Sequence, residues 1–524
     1  MKNQYILAID HGTSGIKAAI INLKGQIKAF EFESTPIWFF QGGGAEQDPE
    51  DWWQALIKAS RKLIKRKVVS SKDICAVCVS STFSSTVAVD KNGDHLMNAL
   101  TWMDSRGAPY IKKLVGGPPS VDGYNLLKVR QWISRTGGGP ALSGKDDIAH
   151  CIYTREKLPK IYEKTCMFLP SKDYLNLRLT GRMASSYDAM HLFWVTDIRD
   201  INNPVYDDKL IRMAGMDRDK LPPMKHSIDI LGTLRSDVAK ELDLKPNTRV
   251  IMGSADHQAA LIGSGAVRAF EGHLYIGTSS WLQCIVPFKK TDMFHSIASF
   301  PAAIPGRFQS VNEQDIAGGA LVYLVDNILY HKNRLLKGEP PEDIYHVLDE
   351  IACNVPAGSE KLIFTPWLNG ERTPVDDTML RAGIYNISHH TTQDHMVRAL
   401  LEGVAYNTRW SMQYVEKFAG QRLSPLNIIG GGGKSDIWCQ IFADVLDREI
   451  RQVKDPMQAN ARGAAFIAAV AMAEMSFDDI PGLIEYNKTF TPNPDNRRIY
   501  DTLFNEFIQI YKNNKAMYKR LNGV

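Results

Sequence analysis

Two carboxylates stand at the ends of short apolar runs in this chain of 524 residues. Asp10 closes "YILAID" and opens the turn "HGTSG"; Asp256 follows "VIMGSA" and precedes "HQAALIG". A turn of Gly12, Thr13 and Ser14 offers backbone N–H groups and hydroxyls with no bulky side chain in the way, which suits phosphate oxygens. A carboxylate at its start suits Mg²⁺, held directly or through water. Asp and Gly are also ordinary hairpin residues, so a plain turn is the competing reading. Asp256 has small neighbours and stands at a strand end. A carboxylate there can accept the proton of a hydroxyl that attacks phosphorus, or it can merely cap a helix.

Two more glycine turns bear on the choice. "GTSS" (Gly277, Thr278, Ser279) lies between "HLYI" and "WLQCIV", so the strand–turn–strand setting of residues 10–14 occurs again. "IIGGGGKSDIW" resembles the end of a P-loop, but the spacing excludes one. The first Gly of that motif would fall at position 428, which is Ile428. The stretch predicts a strand, a Gly-rich turn and a helix N-terminus, where free N–H groups and the helix dipole favour an anion or a nucleotide.

The elements that must hold these turns follow from periodicity. Residues 5–34 predict a three-stranded meander, and "DPEDWWQALIKASRKLIKR" a helix capped by Asp48 with Pro49 in its first turn. "ICAVCVSS" and "STVAVD" predict strands. Gly and Pro crowd residues 107–147, which predicts a loop-rich insertion or a site rim. "SKDYLNLRLTG" predicts a helix ended by Gly181. The repeated Gly-Thr-Ser turn points to a duplicated α/β domain, with boundaries expected at 1–247 and 248–484 and a helical tail over 485–524. Two such domains would set their turns on opposite walls of one cleft, where ligand sites concentrate.

Bulk properties exclude several classes. With 44% apolar and 23% charged residues the chain is an ordinary globular one. A net charge of +4 does not point to nucleic acid, and the basic run Arg61 to Lys67 reads as a solvated helix face. No apolar run is long enough for a membrane helix, and the N-terminus does not read as a signal peptide. Seven cysteines at irregular spacing fit a reducing, cytoplasmic compartment. Cys75 and Cys78 read as thiols buried in a strand, lacking the second pair that a zinc site wants. His389, His390 and His395 read as surface and capping residues.

In order along the chain, "AIDHGTSGIKAAI", "TWMDSRG", "GSADHQAALIGSG", "YIGTSSW", "AGGALVYL", "FTPWLNGERTP" and "GGGGKSDIWCQIFADVLD" resemble the FGGY family of carbohydrate kinases. The resemblance spans nearly the whole chain. It implies two duplicated actin-like (ribonuclease H-like) α/β domains around a cleft, and transfer of the γ-phosphate of ATP to a small ketose or polyol. The implied roles are Asp10 on the Mg²⁺ side and Asp256 as catalytic base. Gly12, Thr13 and Ser14 would form the first phosphate turn, and Gly277 and Thr278 the second. Gly318, Gly431 and Gly432 would line the nucleotide, with Ser435 at the adenine. Phe83, Ser84, Trp102, Asp104 and His257 would join Asp256 on the sugar side. Lys434 receives no phosphate role.

The sugar side departs from the pattern. Where xylulose kinases carry Gly-Gln-Met-His-Gly, this chain has "STFSS", with Phe83 for Met and Ser84 for His. His257 stands where Asn is common, and reads equally as a helix residue bonded to a backbone carbonyl. "DHQAAL" is close to glycerol kinases, yet their Arg-Glu pair has no counterpart. D-xylulose, giving D-xylulose 5-phosphate, is the acceptor expected, with ribulose, a heptulose, a deoxy-sugar or a glycerol-like polyol as alternatives. A chaperone-like relative would need a peptide-binding domain, and a silent sugar sensor would not need both Asp10 and Asp256. The partners implied are sugar and ATP; a homodimer is allowed.

Overall fold

The computed structural model describes residues 4–331 and 338–523. Its first sheet is built from β1 (Tyr5–Gly12), β2 (Gly15–Asn22), β3 (Ile27–Ser34), β4 (Ile74–Ser81), β5 (Ile230–Thr233) and β6 (Arg249–Ala255), in the order β5-β6-β4-β1-β2-β3. β1 and β2 form the expected hairpin, with Gly12 opposite Gly15. β1, β4 and β6 run parallel, so their C-terminal ends share one edge.

Both faces of this sheet are covered, which is why its parallel strands read as continuous apolar runs. Leu7, Ile9, Ala18 and Ile20 pack on Trp52 and Leu56 of α1 (Pro49–Lys65), whose N-cap Asp48 accepts from Glu50 N. Ile6, Ala8, Ala19 and Ile21 face the second half of the chain, where Ala464 and Phe466 meet them.

The second sheet repeats the plan. β7 (Gly272–Ile276), β8 (Ser280–Val286), β9 (Phe308–Val311), β10 (Leu426–Ile429), β11 (Ile450–Val453) and β12 (Tyr486–Phe490) lie in the order β9-β8-β7-β10-β11-β12. Strands Thr291–Asp292 and Ile297–Pro301 extend the β9 edge. β7 pairs antiparallel with β8 and parallel with β10, as β1 does with β2 and β4. The duplication inferred from the two Gly-Thr-Ser turns is therefore a duplication of sheet topology.

Three expectations need correction. A break at 247/248 would cut the first sheet, because β6 is hydrogen-bonded to β4 and β5. The tail is not wholly helical: Tyr486–Phe490 supplies the edge strand paired with β11. The helix that follows, Arg497–Asn522, buries Tyr500, Leu503, Phe504 and Phe507 in the core of the second half. Residues 107–147 are less irregular than their Gly and Pro content suggests. Helices Ala108–Val115 and Leu126–Thr136 occupy nearly half of the segment, with Val115, Val129 and Trp132 buried; residues 137–146 remain a loop. Gly and Pro there end and begin helices rather than dissolve them.

Cys78 is buried and Cys75 half-buried in β4, and no cluster of three or more His, Cys, Asp or Glu side chains able to hold a metal occurs among the described residues. His395 Nδ1 accepts from Thr392 N at a helix start. Among the described residues, no helix is long and apolar enough to cross a membrane.

Candidate active site

The parallel register of β1, β4 and β6 sets the first carboxylate against its neighbours. Asp10 lies opposite Ser80, and the next row joins His11, Ser81 and Ala255. Asp256 follows Ala255 directly and begins α2 (Asp256–Ser264). Asp10 and Asp256 thus stand on one sheet edge, two strand spacings apart, about 10 Å along the hydrogen-bonding direction.

Asp10 is 3% exposed. Burial raises its pKa, the Lys17 ammonium 3.5 Å away pulls it back, and the charge of Asp256 pushes it up again. Ser80 Oγ and Asn460 Nδ2 each donate to Asp10 Oδ1 at 3.3 Å. Asp256 is more open, with its side chain 24% exposed, and its Oδ1 accepts from the His257 backbone N at 2.8 Å. His11 points to the other face, 4.5 Å ring to ring from Trp52, and burial pushes its pKa down to about 3. Its neutral imidazole leaves acid–base work at this edge to the carboxylates.

Both Gly-Thr turns converge on this edge. Thr13 is held twice: Trp102 Nε1 donates to its Oγ1 at 2.9 Å and Gln47 Nε2 to its carbonyl at 2.9 Å. Across the cleft, the Gly277 and Thr278 carbonyls accept from Gly318 N (2.8 Å) and Gly319 N (3.1 Å), at the start of helix α3 (Gly318–Leu324). A side chain at Gly318 would lie 2.6 Å from the Gly277 carbonyl oxygen, so only glycine allows this approach. Tyr275, two residues before Gly277, has its phenol pKa raised by burial and then by the charges of Asp256 and Asp10. The Tyr275 phenol lies against Gly277, so the second turn shares the field of the two carboxylates.

The third turn leaves β10 through Gly430, at φ +86°, passes a short 3-10 segment Gly431–Lys434, and enters α4 (Asp436–Leu446). Gly432 abuts Ile276 at the end of β7. The glycines are bunched because the turn passes between the ends of β7 and β11, where Pro456 lies against Gly433.

On the expected sugar side the structure sorts the candidates. Phe83 packs 4.7 Å from the His257 ring, and His257 Nδ1 is 3.7 Å from Asp256 Oδ1. His257 Nε2 is buried without a partner among the described residues, so this nitrogen is not bonded to a backbone carbonyl there. Ser84 Oγ donates to the Lys145 carbonyl at 2.6 Å, which commits its proton to the loop. Asp104 is corrected outright. It is fully buried, and its oxygens accept from Ala45 N (3.0 Å), Arg106 N (3.0 Å) and the Arg106 guanidinium. It positions the loop that carries Trp102.

Sequence reasoning missed three residues at this site. Lys17 and Asn460 touch Asp10; Lys17 lies in the strand of the first motif, where it drew no role, and Asn460 at a helix start outside the motifs. Asp188, 2% exposed, accepts from Ala255 N (2.8 Å) and Ser227 Oγ (2.9 Å), which fixes the strand end from which Asp256 projects. Only chain reversal brings residue 188 to residue 255, so no local signal announces it.

With this geometry in hand, comparisons with known proteins are specific. The chain matches the FGGY family of carbohydrate kinases, N-terminal domain, over residues 5–263, and its C-terminal domain over residues 274–472. A xylulose kinase of Bacillus subtilis (strain 168) is 28% identical over 523 residues, covering 99% of each chain. Among solved structures, a gluconate kinase from Lactobacillus acidophilus superposes with a TM-score of 0.86 at 22% identity, covering 99% of this chain and all of that one. A ligand-bound xylulose kinase from the same organism gives 0.85, also at 22% and with the same coverage. At that identity the likeness is one of fold, the two-domain actin-like ATPase fold.

Proposed function

Because this chain belongs to the FGGY family of carbohydrate kinases and is a sugar kinase, we propose that it transfers the γ-phosphate of ATP to a hydroxyl of a small neutral ketose, D-xylulose first among them. The observation that carries this reading is the pairing of Asp10 and Asp256 on one sheet edge. Phosphoryl transfer asks a protein for positioned charge, a base and little else.

In the proposed reaction the acceptor hydroxyl lies against Asp256, with His257 and Phe83 forming the adjoining wall. Its oxygen forms a bond to the γ-phosphorus as the bond to the β,γ-bridging oxygen breaks. Asp256 takes the proton and ADP departs with the electron pair. Thr13 and Ser14 on one side and Gly277 and Thr278 on the other hold the phosphates, and the turn of Gly431 and Gly432 lies on the adenosine side. Trp102 ties the sugar side to the first phosphate turn through Thr13. Closure of the halves would exclude water, which otherwise hydrolyses ATP.

Asp10 fits a magnesium site. Mg²⁺ commonly uses one or two carboxylates and takes its other ligands from phosphates and water, and Asp10 is a buried carboxylate whose pKa is raised by burial. When bound, the ion would neutralise phosphate charge. Asp10→Asn is therefore expected to lower kcat by about 10²-fold and to raise the Mg²⁺ concentration needed for half-maximal rate. A Mg²⁺ titration of both proteins at saturating ATP checks this; an unchanged requirement would move the ion elsewhere.

The acceptor is tested by ADP release against D-xylulose, D-ribulose, a heptulose, gluconate and glycerol. The expected result is a kcat/KM for xylulose at least about tenfold above the others. A higher value for gluconate would replace the proposed acceptor without touching the kinase assignment.

A further inference from the structure

The hydroxyl of Ser435 is fully engaged as a donor. It accepts from Trp438 N at 3.1 Å, capping α4, and donates to Asp349 Oδ1 at 2.7 Å. A serine has one hydroxyl proton, so none is left for a ligand. The charged acceptor nearest this hydroxyl is the Asp349 carboxylate behind it. Asp349 lies on the helix Ile344–Asn354, half-buried, and its other oxygen, Oδ2, has no partner among the described residues.

We propose that Asp349 accepts a hydrogen bond from the exocyclic amino group of the nucleotide base, and so selects adenine over guanine. An ionised carboxylate only accepts. Adenine presents an N–H₂ where guanine presents a carbonyl oxygen, which a carboxylate repels. Ser435 acts as a positioning residue that fixes the carboxylate's rotamer. The inference rests on the reading of the 430–435 turn as the adenosine side.

The test is calorimetric binding of ADP, GDP and 2′-deoxyADP to wild type, Asp349→Asn and Ser435→Ala, with melting curves as a control for folding. Wild type is expected to bind ADP more tightly than GDP. Asp349→Asn is expected to shrink that ratio at least about tenfold, because an amide can donate to the guanine oxygen. Ser435→Ala is expected to move the ratio the same way by less. An unchanged ratio in Asp349→Asn, with ADP binding intact, overturns the inference and leaves the nucleotide site standing. Loss of discrimination against 2′-deoxyADP alone also overturns it, since the carboxylate would then hold the ribose. Failure of wild type to bind ADP removes the reading of the turn, and the inference with it.

Discussion

Asp256→Asn is expected to lower kcat by about 10² to 10⁴-fold, the range for loss of a general base, with the KM for ATP unchanged. Steady-state kinetics with the best acceptor, beside a melting curve, measures it. The change keeps size and shape, and among the described residues Asp256 Oδ1 accepts one hydrogen bond, from its neighbour's N–H, so stability should not fall. Removing its charge also relieves Asp10, whose pKa it raises. A slightly higher melting temperature with lost turnover would mark a charge kept for chemistry. An Asp256→Asn enzyme within threefold of wild type would sink the proposed mechanism.

The largest stability effect is expected from a single methyl group. Helix α2 crosses α5 (Ala459–Ala471) backbone to backbone. A Cβ on Gly463 would lie 1.9 Å from the Ala259 carbonyl oxygen, and one on Gly263 1.8 Å from the Ala459 carbonyl oxygen. In an open helix Gly→Ala stabilises by about 1 kcal/mol. Here the sign should reverse. Gly463→Ala is expected to cost about 3 kcal/mol or more through overpacking and to lower the melting temperature by several degrees. Gly482→Ala, where a Cβ meets nothing within 4 Å, serves as the control. Activity should fall further than stability, because this crossing aligns the site. Asp256 is the first residue of α2, and Asn460, which donates to Asp10, is the second residue of α5. Equal melting temperatures for the two variants would show that the helices can part at no cost.

How much of this was legible beforehand varies with the range of the interaction involved. The Gly-Thr-Ser turns, the Asp48 cap and the Gly181 stop are local, set by residues a few positions apart, and each stands where its spacing predicts. The segment 107–147 misled because Gly and Pro mark helix ends as readily as loops. β12 escapes sequence reading because a five-residue edge strand with a mostly exposed, polar sequence, "YNKTF", carries almost no periodic signal.

The chain's own sequence determined the duplicated α/β plan, the strand-end carboxylates and the glycine turns, because these follow from periodicity and backbone sterics within single elements. Only tertiary structure decided that Asp104 is buried on Ala45 and Arg106 while Trp102 reaches Thr13. It also decided that Asp188 anchors Ala255 and that Ser435 hands its proton to Asp349. Apart from the Arg106–Asp104 pair, these contacts join residues between 59 and 89 positions apart, and the bond between Asn460 and Asp10 joins residues 450 apart. Hydrogen bonds at such separations depend on how helices and sheets stack, and no window of sequence contains that information.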